Sequence, residues 1–518
     1  MKEINRKIWI IDFGSQYTQL ITRKTRELGH SSEILTLDEV RDKLQSKETP
    51  ECLVLSGGPD SLSSDSTDYS FLFESEVPVL GICYGLQIMA SYFGGQVEKG
   101  TLGEYGKAEV SLEGENSLSS CPENFSVWMS HFDHVKEVPR GFEVILKSHN
   151  GLIAGISDKG RKMMGLQFHP EVDHSEYGKE ILDHFYTDIA KLEKDWGKQE
   201  MLSEATALIE QVGDAKVLCA FSGGVDSLVA ATIAHEVIGD NLYCFFVDHG
   251  LLRPQDHHHI ETLKKETSLN IEIIDASKVF LNKLKGVADP EKKRKIIGHT
   301  FIEVFEDKVH SYEKDHNVNF EYLLQGTLYP DVIESTSPHK KGGKSVTIKS
   351  HHNVGGLPER MKLKLLEPLR YLFKDEGRQM GKELGLKQEW VYRHPFPGPG
   401  IGIRILGEVF PESIEKVQKS DQILFEELNS FQLYDSTAQA FTVLLPVKTV
   451  GVKGDGRAYE EVICVRLVST SDYMTAVWSE VPYSFLDKVS NRITNEVQGV
   501  TRVVYDVTSK PPGTIEWE

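Results

Sequence analysis

Residues 216–228 read KVLCAFSGGVDSL, so that an apolar run leads directly into a glycine-rich turn. The residues that follow, 228–237, are LVAATIAHEV, an apolar pattern typical of a buried helix. A strand, a glycine-rich turn and a helix in this order are typical of a doubly wound α/β domain, where backbone N–H groups at the helix start face a phosphate. The sequence therefore predicts a phosphate-binding loop made of Ser222, Gly223, Gly224, Val225, Asp226, Ser227 and Leu228.

The same alternation of strands and helices extends to both sides of this loop. Around it, a helix is predicted at 202–212 and strands at 243–247 and 271–274. Nearer the N-terminus, buried strands are predicted at 7–13, 52–55, 79–83 and 162–168, with helices near 16–28 and 178–192. Strands that alternate with helices in this way predict mostly parallel sheets.

The last part of the chain has a different character. Residues 394–400, HPFPGPG, cannot form a helix because prolines interrupt them. Beyond them, strands are predicted at 440–450, 461–468 and 502–507 and helices at 412–428 and 483–496. We therefore predict an α/β protein of two doubly wound, mostly parallel-sheet domains, at 1–198 and 199–393, plus a small α+β domain at 394–518. Residues 338–358, rich in Lys, Gly and His, are expected to form a long functional loop.

Charge and cysteine content narrow the classes of function. The chain has 518 residues and a formal net charge of −20, which argues against binding to nucleic acid or to an anionic membrane. Its six cysteines are scattered without a CxxC pair, so neither disulfides nor a zinc site is predicted. No apolar run reaches the length of about 18 residues that a membrane helix needs, and no signal region opens the chain. A cytoplasmic location is expected.

A second chemical motif is Gly81-Ile82-Cys83-Tyr84-Gly85, which follows an apolar run and precedes a helical pattern. Glycines on both sides of a cysteine permit the tight turn of a nucleophile elbow, and the start of the next helix stabilises a thiolate. Residues 167–171, QFHPE, offer His169 as a proton acceptor and Glu171 as the carboxylate that orients it. An isolated cysteine is more often a small buried apolar residue, but the glycines and the His-x-Glu pair favour the catalytic interpretation.

These segments, together with Ser56-Gly57-Gly58-Pro59, resemble the class I glutamine amidotransferases over roughly residues 7–195. The resemblance implies that Cys83 is the nucleophile, that His169 is the general base and acid, and that Glu171 orients the histidine. It also implies an oxyanion hole formed by the backbone N–H groups of Gly58 and Tyr84. Such a site would release ammonia from glutamine.

The phosphate loop is not a Walker A motif, because the nearest imitation, at 343–345, has Pro338 where a glycine is required. It resembles the loop of the N-type ATP pyrophosphatases, which cleave ATP between its α- and β-phosphates and adenylate a substrate oxygen. The resemblance implies ATP as a substrate with Mg²⁺, for which Asp226 is the nearest candidate ligand. Leu228 stands where the family usually has serine.

Further segments, including 246–253, 325–331, 349–356, 393–400 and 509–518, resemble the glutamine-hydrolysing GMP synthase family almost from end to end. The resemblance implies that XMP, ATP and glutamine are the substrates and that the protein is a homodimer. It implies an adenylation site with Asp331 and Glu334, and a lid over ATP with Lys349, His351 and His352. The residues that it assigns to XMP are Arg253, Asp455, Lys510 and Glu516. Two of these, Lys510 and Arg253, have the charge that suits the 5′-phosphate of XMP.

Two more departures from the family pattern are Phe132 and His249, which replace a glycine and an asparagine. The run His257-His258-His259 invites a metal hypothesis, but consecutive helix residues do not share a face.

The alternative functions are those of a different ATP-pyrophosphatase ligase, an NAD synthase and a non-catalytic paralogue. A thiolating enzyme would need an added pair of cysteines, an NAD synthase lacks this glutaminase and this tail, and a paralogue would have lost Cys83 or the loop.

Overall fold

The computed structural model describes residues 6–62, 67–114, 118, 120–336, 363–453, 456–470 and 475–518. They form two compact units, Met1–Glu200 and Met201–Glu518. Each unit has its own sheets and its own buried apolar core. The finer division into 1–198, 199–393 and 394–518 stays a proposal.

The first unit is built on one mixed sheet with the strand order β2-β1-β3-β4-β9-β8-β7-β5-β6. Its strands are β1 (Ile8–Ile11), β2 (Ser32–Leu35), β3 (Cys52–Leu55), β4 (Val79–Ile82), β5 (Gln96–Leu112), β6 (Asn124–Glu137), β7 (Glu143–Ser148), β8 (Ile153–Asp158) and β9 (Met163–Leu166). Its helices are α1 (Thr18–Glu27), α2 (Leu37–Gln45), α3 (Phe71–Glu74), α4 (Tyr84–Tyr92) and α5 (Gly178–His184), which a π-helical turn, Phe185–Ile189, continues.

Five neighbouring strands of this sheet, β2, β1, β3, β4 and β9, pair in parallel. Of these, β1, β3, β4 and β9 are buried at every position. Apolar runs that are covered on both faces favour this arrangement. The remaining pairs, from β9 through β8, β7 and β5 to β6, are antiparallel. In β6, buried positions are interspersed with exposed ones, which is the pattern of a sheet with one solvated face. This antiparallel extension was not expected from the sequence, because its strands lack continuous apolar runs.

The second unit begins with a fully parallel sheet in the order β12-β11-β10-β13-β14. Its strands are β10 (Lys216–Ala220), β11 (Leu242–Asp248), β12 (Ile271–Asp275), β13 (Phe320–Leu324) and β14 (Lys364–Leu366). The first helix, α6 (Lys198–Glu210), begins just before the boundary between the two units. The helices that follow it are α7 (Val225–Ile238), α8 (Pro254–Glu266), α9 (Ser277–Leu284), α10 (Pro290–His316), α11 (Tyr329–Thr336), α12 (Lys374–Glu383) and α13 (Gln388–Val391).

The C-terminal part of this unit has a second sheet, in which β16 pairs with β15 and β17 in antiparallel fashion and with β18 in parallel. After a 3₁₀ turn, Gly400–Ile403, its elements are α14 (Pro411–Ser430), β15 (Gln439–Lys453), β16 (Gly456–Ser469), β17 (Val477–Trp478), α15 (Tyr483–Glu496) and β18 (Val500–Tyr505). One apolar core joins this part to the parallel sheet, since Leu218 and Phe245 belong to the same buried cluster as Val417 and Leu444.

The structure confirms the predicted α/β class and the predicted strands and helices, which its elements match to within a few residues at each end. The predicted loop 338–358 lies outside the described residues. In the part of the chain that the structure describes, no helix is both long enough and apolar enough to cross a membrane.

Candidate active sites

Cys83 lies between the end of β4 and the start of α4, where the chain turns sharply. Its backbone has φ 52° and ψ −103°, a strained conformation that non-glycine residues adopt mainly at functional sites. A Cβ atom at Gly85 would collide with the Leu55 carbonyl oxygen, and one at Gly81 would lie 2.7 Å from the Gly85 carbonyl carbon. Both flanking glycines are therefore required by close packing of the backbone, as a nucleophile elbow predicts.

His169 and Glu171 follow β9, the strand that pairs with β4 in parallel. His169 Nδ1 lies 2.8 Å from Glu171 Oε1, and both side chains are almost fully buried. Burial alone would lower the pKa of His169, but the charge of Glu171 and hydrogen bonds with Cys83 and Glu171 outweigh it and raise that pKa to about 10. The imidazole is thus held protonated beside the sulfur, which is the pairing that a thiolate nucleophile needs.

The backbone of His169 is held as firmly as its ring. Its N–H donates to the Trp128 carbonyl at 3.0 Å, and its own carbonyl accepts from Ser175 Oγ at 2.6 Å. The ring of Tyr17 packs edge-on against the imidazole with a centroid distance of 4.8 Å. These contacts leave the histidine one orientation, so the structure brings the three predicted residues Cys83, His169 and Glu171 into one site.

The two proposed oxyanion donors are neighbours next to this site. A Cβ atom at Gly58 would lie 2.9 Å from the Phe13 carbonyl oxygen and 3.2 Å from Tyr84 Cδ1, so only glycine fits there without a shift. At the adjacent Gly57, a Cβ atom would lie 3.0 Å from His169 Cε1. The Ser56–Pro59 segment therefore passes directly beside His169 and the start of α4.

Gln167 also reaches the sulfur, although the sequence pattern did not single it out. Its Nε2 donates to Cys83 Sγ at 3.7 Å, and the thiol donates in turn to the Ser130 carbonyl at 3.7 Å. The register between β4 and β9 could have revealed this contact. Ile82 pairs with Leu166, and Cys83 and Gln167 are the residues that directly follow them.

In the second unit, the phosphate loop connects β10 to α7. Gly223 has φ +72°, and a Cβ atom there would collide with Ile260 Cδ1. Ser222 Oγ lies 3.0 Å from Ser227 Oγ, and Ser227 Oγ donates to the Gly224 carbonyl at 3.1 Å. The loop is thus closed on itself at the N-terminus of a 14-residue helix, where backbone N–H groups and the helix dipole favour an anion.

The histidine run beside this loop does not form a metal cluster. His259 Nε2 donates to the Gly223 carbonyl at 3.1 Å, whereas His257 Nε2 lies 3.4 Å from Asp248 Oδ2. Burial, then the nearby Arg393 charge, lowers the pKa of His259 to about 4, so it is a neutral hydrogen-bond donor near pH 7. Among the described residues, no group of three potential ligands could hold an ion by itself.

Three of the residues predicted for the ATP site have the following surroundings. Leu228 is fully buried in the core, so its side chain makes apolar contacts where the family usually has a serine hydroxyl. Asp226 Oδ2 lies 4.0 Å from Lys374 Nζ. Asp331, at the start of α11, accepts a hydrogen bond from the Leu328 N–H at 3.0 Å.

A tight approach at Gly326 brings the chain before α11 next to α7. A Cβ atom there would lie 2.6 Å from the Asp226 carbonyl carbon. Glu334 lies on α11, and nothing is described of its side chain. Four further predicted residues lie outside the described part of the chain, namely Lys349, His351, His352 and Asp455.

Arg253 is buried and its charge is already balanced. Its Nε donates to Asp256 Oδ2 at 2.9 Å, and its Nη1 donates to Asp421 Oδ2 at 3.5 Å. The guanidinium also stacks over the Phe396 ring at 4.3 Å. Carboxylates thus pair with the Arg253 guanidinium in this conformation, and its expected contact with XMP stays a prediction.

Glu516 is held by a second buried arginine. Arg404 donates to it through Nη2 at 2.8 Å, and Gln439 Nε2 donates to it at 2.8 Å. The same Arg404 donates through Nη1 to Asp421 at 3.4 Å. Lys510 is fixed by its backbone, whose N–H donates to the Ala476 carbonyl at 2.7 Å. Sequence reasoning missed Asp421 and Arg404, because neither lies in a recognisable motif.

The two other departures from the family pattern have different surroundings. Phe132 is partly exposed on β6. His249 is buried, accepts a hydrogen bond from the Leu251 N–H at 3.0 Å, and has its pKa lowered to about 4 by burial. The neutral ring therefore closes the turn after β11, and it touches none of the predicted site residues in these contacts.

Comparisons with known proteins agree with this picture. A family model described as Glutamine amidotransferase class-I matches residues 9–189, and one described as GMP synthase C terminal domain matches residues 426–517. The first unit, with its cysteine elbow on a mixed sheet, thus matches the class I glutamine amidotransferases, and the C-terminal part of the second unit matches the C-terminal domain of GMP synthases.

Full-length relatives identify the family. The GMP synthase (glutamine-hydrolyzing) of Aquifex aeolicus is 51% identical over 517 residues, which cover 99% of each chain. That of Legionella pneumophila strain Lens is 51% identical and covers 98% of each, and that of Helicobacter acinonychis is 52% identical and covers 99% of this chain and 100% of the relative. The chain belongs to the glutamine-hydrolysing GMP synthase family.

Proposed function

We propose that this member of the GMP synthase family divides its reaction between the Cys83 site and the phosphate-loop site. The overall reaction is the glutamine-dependent conversion of XMP to GMP, in which ATP yields AMP and pyrophosphate and glutamine yields glutamate. The observation that carries the first assignment is the buried His169–Glu171 pair beside Cys83.

In the first unit, the Cys83 thiolate attacks the carboxamide carbon of glutamine. The oxyanion that forms accepts hydrogen bonds from the N–H groups of Gly58 and Tyr84, a type of contact that lowers such barriers by about 3–4 kcal/mol. His169 gives its proton to the leaving nitrogen, so that ammonia departs and a glutamyl thioester remains. Water then loses a proton to His169 and attacks the thioester, which releases glutamate and restores the thiolate.

In the second unit, residues 222–228 bind the phosphates of ATP through backbone N–H groups at the start of α7. The xanthine oxygen of XMP attacks the α-phosphorus and displaces pyrophosphate, and ammonia then displaces AMP. Support comes from the closed loop geometry and from the approach of Gly326, which brings the chain segment that bears Asp331 next to α7. We further propose that Glu334, Lys349, His351 and His352 complete this site.

Mg²⁺ fits this site as a companion of ATP. It usually keeps several waters and is held by phosphates and one or two carboxylates, so the single carboxylate of Asp226 at the loop is a sufficient protein contribution. When bound, the ion neutralises charge on the leaving pyrophosphate. The part that the chain itself plays is to keep Asp226 in place at the start of α7, near Lys374.

For the acceptor, we propose that Lys510 and Glu516 bind XMP together with Arg253 and Asp455. The anchoring of Glu516 by Arg404 and Gln439 supports this, because it immobilises the tail that carries both residues. A cytoplasmic homodimer is proposed as well. The cytoplasmic location is supported by the six cysteines, all of which are free. The homodimer is supported by the β15–β16 hairpin, which exposes apolar side chains suited to a subunit contact, namely Val450, Val452 and Tyr459.

The test is to incubate the full chain with XMP, ATP and Mg²⁺ and with either glutamine or ammonium. GMP from both nitrogen sources, with AMP and pyrophosphate in equal amounts, would support the two-site proposal. XMP-independent cleavage of ATP would contradict the adenylation step. Light scattering of the same sample reports the oligomeric state.

A further inference from the structure

A buried amide lies beside the nucleophilic sulfur. Gln167 is 1% exposed and directly follows β9, and its Nε2 donates to Cys83 Sγ at 3.7 Å. Its backbone N–H donates to the Ala154 carbonyl at 2.9 Å, while the N–H of Cys83 donates to the Leu166 carbonyl at 2.7 Å. The two residues are therefore carried side by side by neighbouring strands.

The contacts of the sulfur differ between its two protonation states. As a thiol, Cys83 donates to the Ser130 carbonyl, 3.7 Å away. A thiolate has no proton to give and can only accept, so it loses that bond and keeps the donors Gln167 and His169. The amide N–H thus favours the thiolate over the thiol, in addition to the effect of the protonated histidine.

The other end of the same amide is unsatisfied. In the part of the chain that the structure describes, Gln167 Oε1 is buried and has no hydrogen-bond partner. A buried acceptor without a partner lowers stability, and an apolar side chain of similar shape would avoid that penalty. An amide at this position is therefore explained by its contact with the sulfur better than by packing.

We propose that Gln167 is a further catalytic residue of the glutaminase site, whose N–H donates to the Cys83 sulfur and stabilises its thiolate. No proton is transferred to or from Gln167. It holds the sulfur ready for attack. This inference rests on the proposed role of Cys83 as the nucleophile.

The test is the pH dependence of Cys83 alkylation by iodoacetamide in the full chain, with Cys83→Ala as the background. In Gln167→Met the pH of half-maximal rate is expected to rise by about one pH unit, a tenfold slower reaction near pH 7, and kcat/KM for glutamine is expected to fall at least tenfold. Gln167→Glu, which puts a negative charge beside the sulfur, is expected to shift the profile further in the same direction.

The matched control is Gln87, another buried amide of the same unit. Its Nε2 donates to the Asp133 carbonyl at 2.8 Å instead of to sulfur, so Gln87→Met should leave the alkylation profile unchanged. An unchanged profile in both Gln167 variants would overturn the inference, as would an equal shift in the Gln87 variant. If glutamine hydrolysis survives in Cys83→Ala, the proposed function itself fails, which is a distinct outcome.

Discussion

Arg253 and Asp421 are 168 residues apart in the chain and form a buried ion pair, with Nη1 and Oδ2 separated by 3.5 Å. Asp421 also accepts from Arg404 at 3.4 Å and from the N–H and Oγ1 of Thr442 at 2.6 and 2.7 Å. One carboxylate therefore connects an arginine after β11 to the arginine that holds Glu516 in the C-terminal tail. This connection ties the parallel-sheet part of the second unit to the residues proposed to bind XMP.

The first prediction concerns this carboxylate. Replacing Asp421 by Asn leaves two buried guanidinium groups without their shared anion, and loss of one partner in such a pair costs about 3–5 kcal/mol. We expect the free energy of unfolding of the second unit to fall by that order and KM for XMP to rise, while kcat/KM for glutamine hydrolysis changes less. Urea unfolding and steady-state kinetics measure these quantities.

The matched control is Glu415→Gln, which removes an exposed carboxylate of the same helix, 2.7 Å from Lys419. Exposed pairs of this kind contribute little to stability because solvent screens them, so little change is expected. Equal effects of the two substitutions would show that the buried connection has no special role.

The second prediction concerns the nucleophile. Cys83→Ala removes the sulfur that is proposed to form the thioester, and glutamine-dependent GMP formation should fall at least about a thousandfold. GMP formation from ammonium should persist, because the phosphate loop belongs to the second unit. The ratio of the two rates is the measurement, and retained glutaminase activity would contradict the assignment.

The third prediction is a pH dependence of stability. The pKa of His169 is raised from 6.5 to about 10, chiefly by the charge of Glu171 acting against burial. A group with a raised pKa stabilises the folded state fully below its unfolded value and loses that contribution as the pH rises through the folded value. We therefore expect the difference in Tm between the wild type and Glu171→Gln to be largest near pH 6.5 and to shrink toward pH 10.

Calorimetry at a series of pH values measures this difference. Asp188→Asn is the control, because its carboxylate lies at the same 2.8 Å from His184 Nδ1 but is mostly exposed. Solvent screening should make its effect small at every pH. A difference between wild type and Glu171→Gln that grows with pH would reverse the sign and refute the pairing.

The fourth prediction concerns the phosphate loop. Gly223→Ala combines a strained φ of +72° with a collision against Ile260, so we expect ATP-dependent release of pyrophosphate to fall at least about tenfold. Gly213→Ala imposes similar strain, at φ +61°, where nothing lies within 4 Å of the new atom. Its pyrophosphate release should remain near that of the wild type. Comparable losses in both variants would mean that strain alone, and not the shape of the loop, limits activity.

Much of the fold was predictable because its signals are local. The apolar runs of β1, β4 and β10 are short and continuous, and the loop after β10 contains the glycines that its turn requires. The antiparallel strands β5 to β8 were missed, since a strand with one solvated face has a weaker pattern than a buried one.

The site residues divide in a similar way. Cys83, His169 and Glu171 stand out because their motifs place them near turns and strand ends, and the structure brings them together. Gln167 was overlooked because its contact with sulfur depends on the register between β4 and β9. The pairing of Arg253 with Asp421 depends on packing across many residues, which no short segment encodes.

The amino-acid sequence thus determined the α/β class, the cysteine elbow and the phosphate loop, because each depends on the conformational limits of a few adjacent residues. Only the tertiary structure decided which charges meet in the interior. In the folded chain, carboxylates pair with Arg253, neutral His259 donates a hydrogen bond to the loop, and the amide of Gln167 lies beside the sulfur of Cys83. The physical reason is that burial makes an unpaired charge or polar group costly, and partners for it are found only when distant segments pack together.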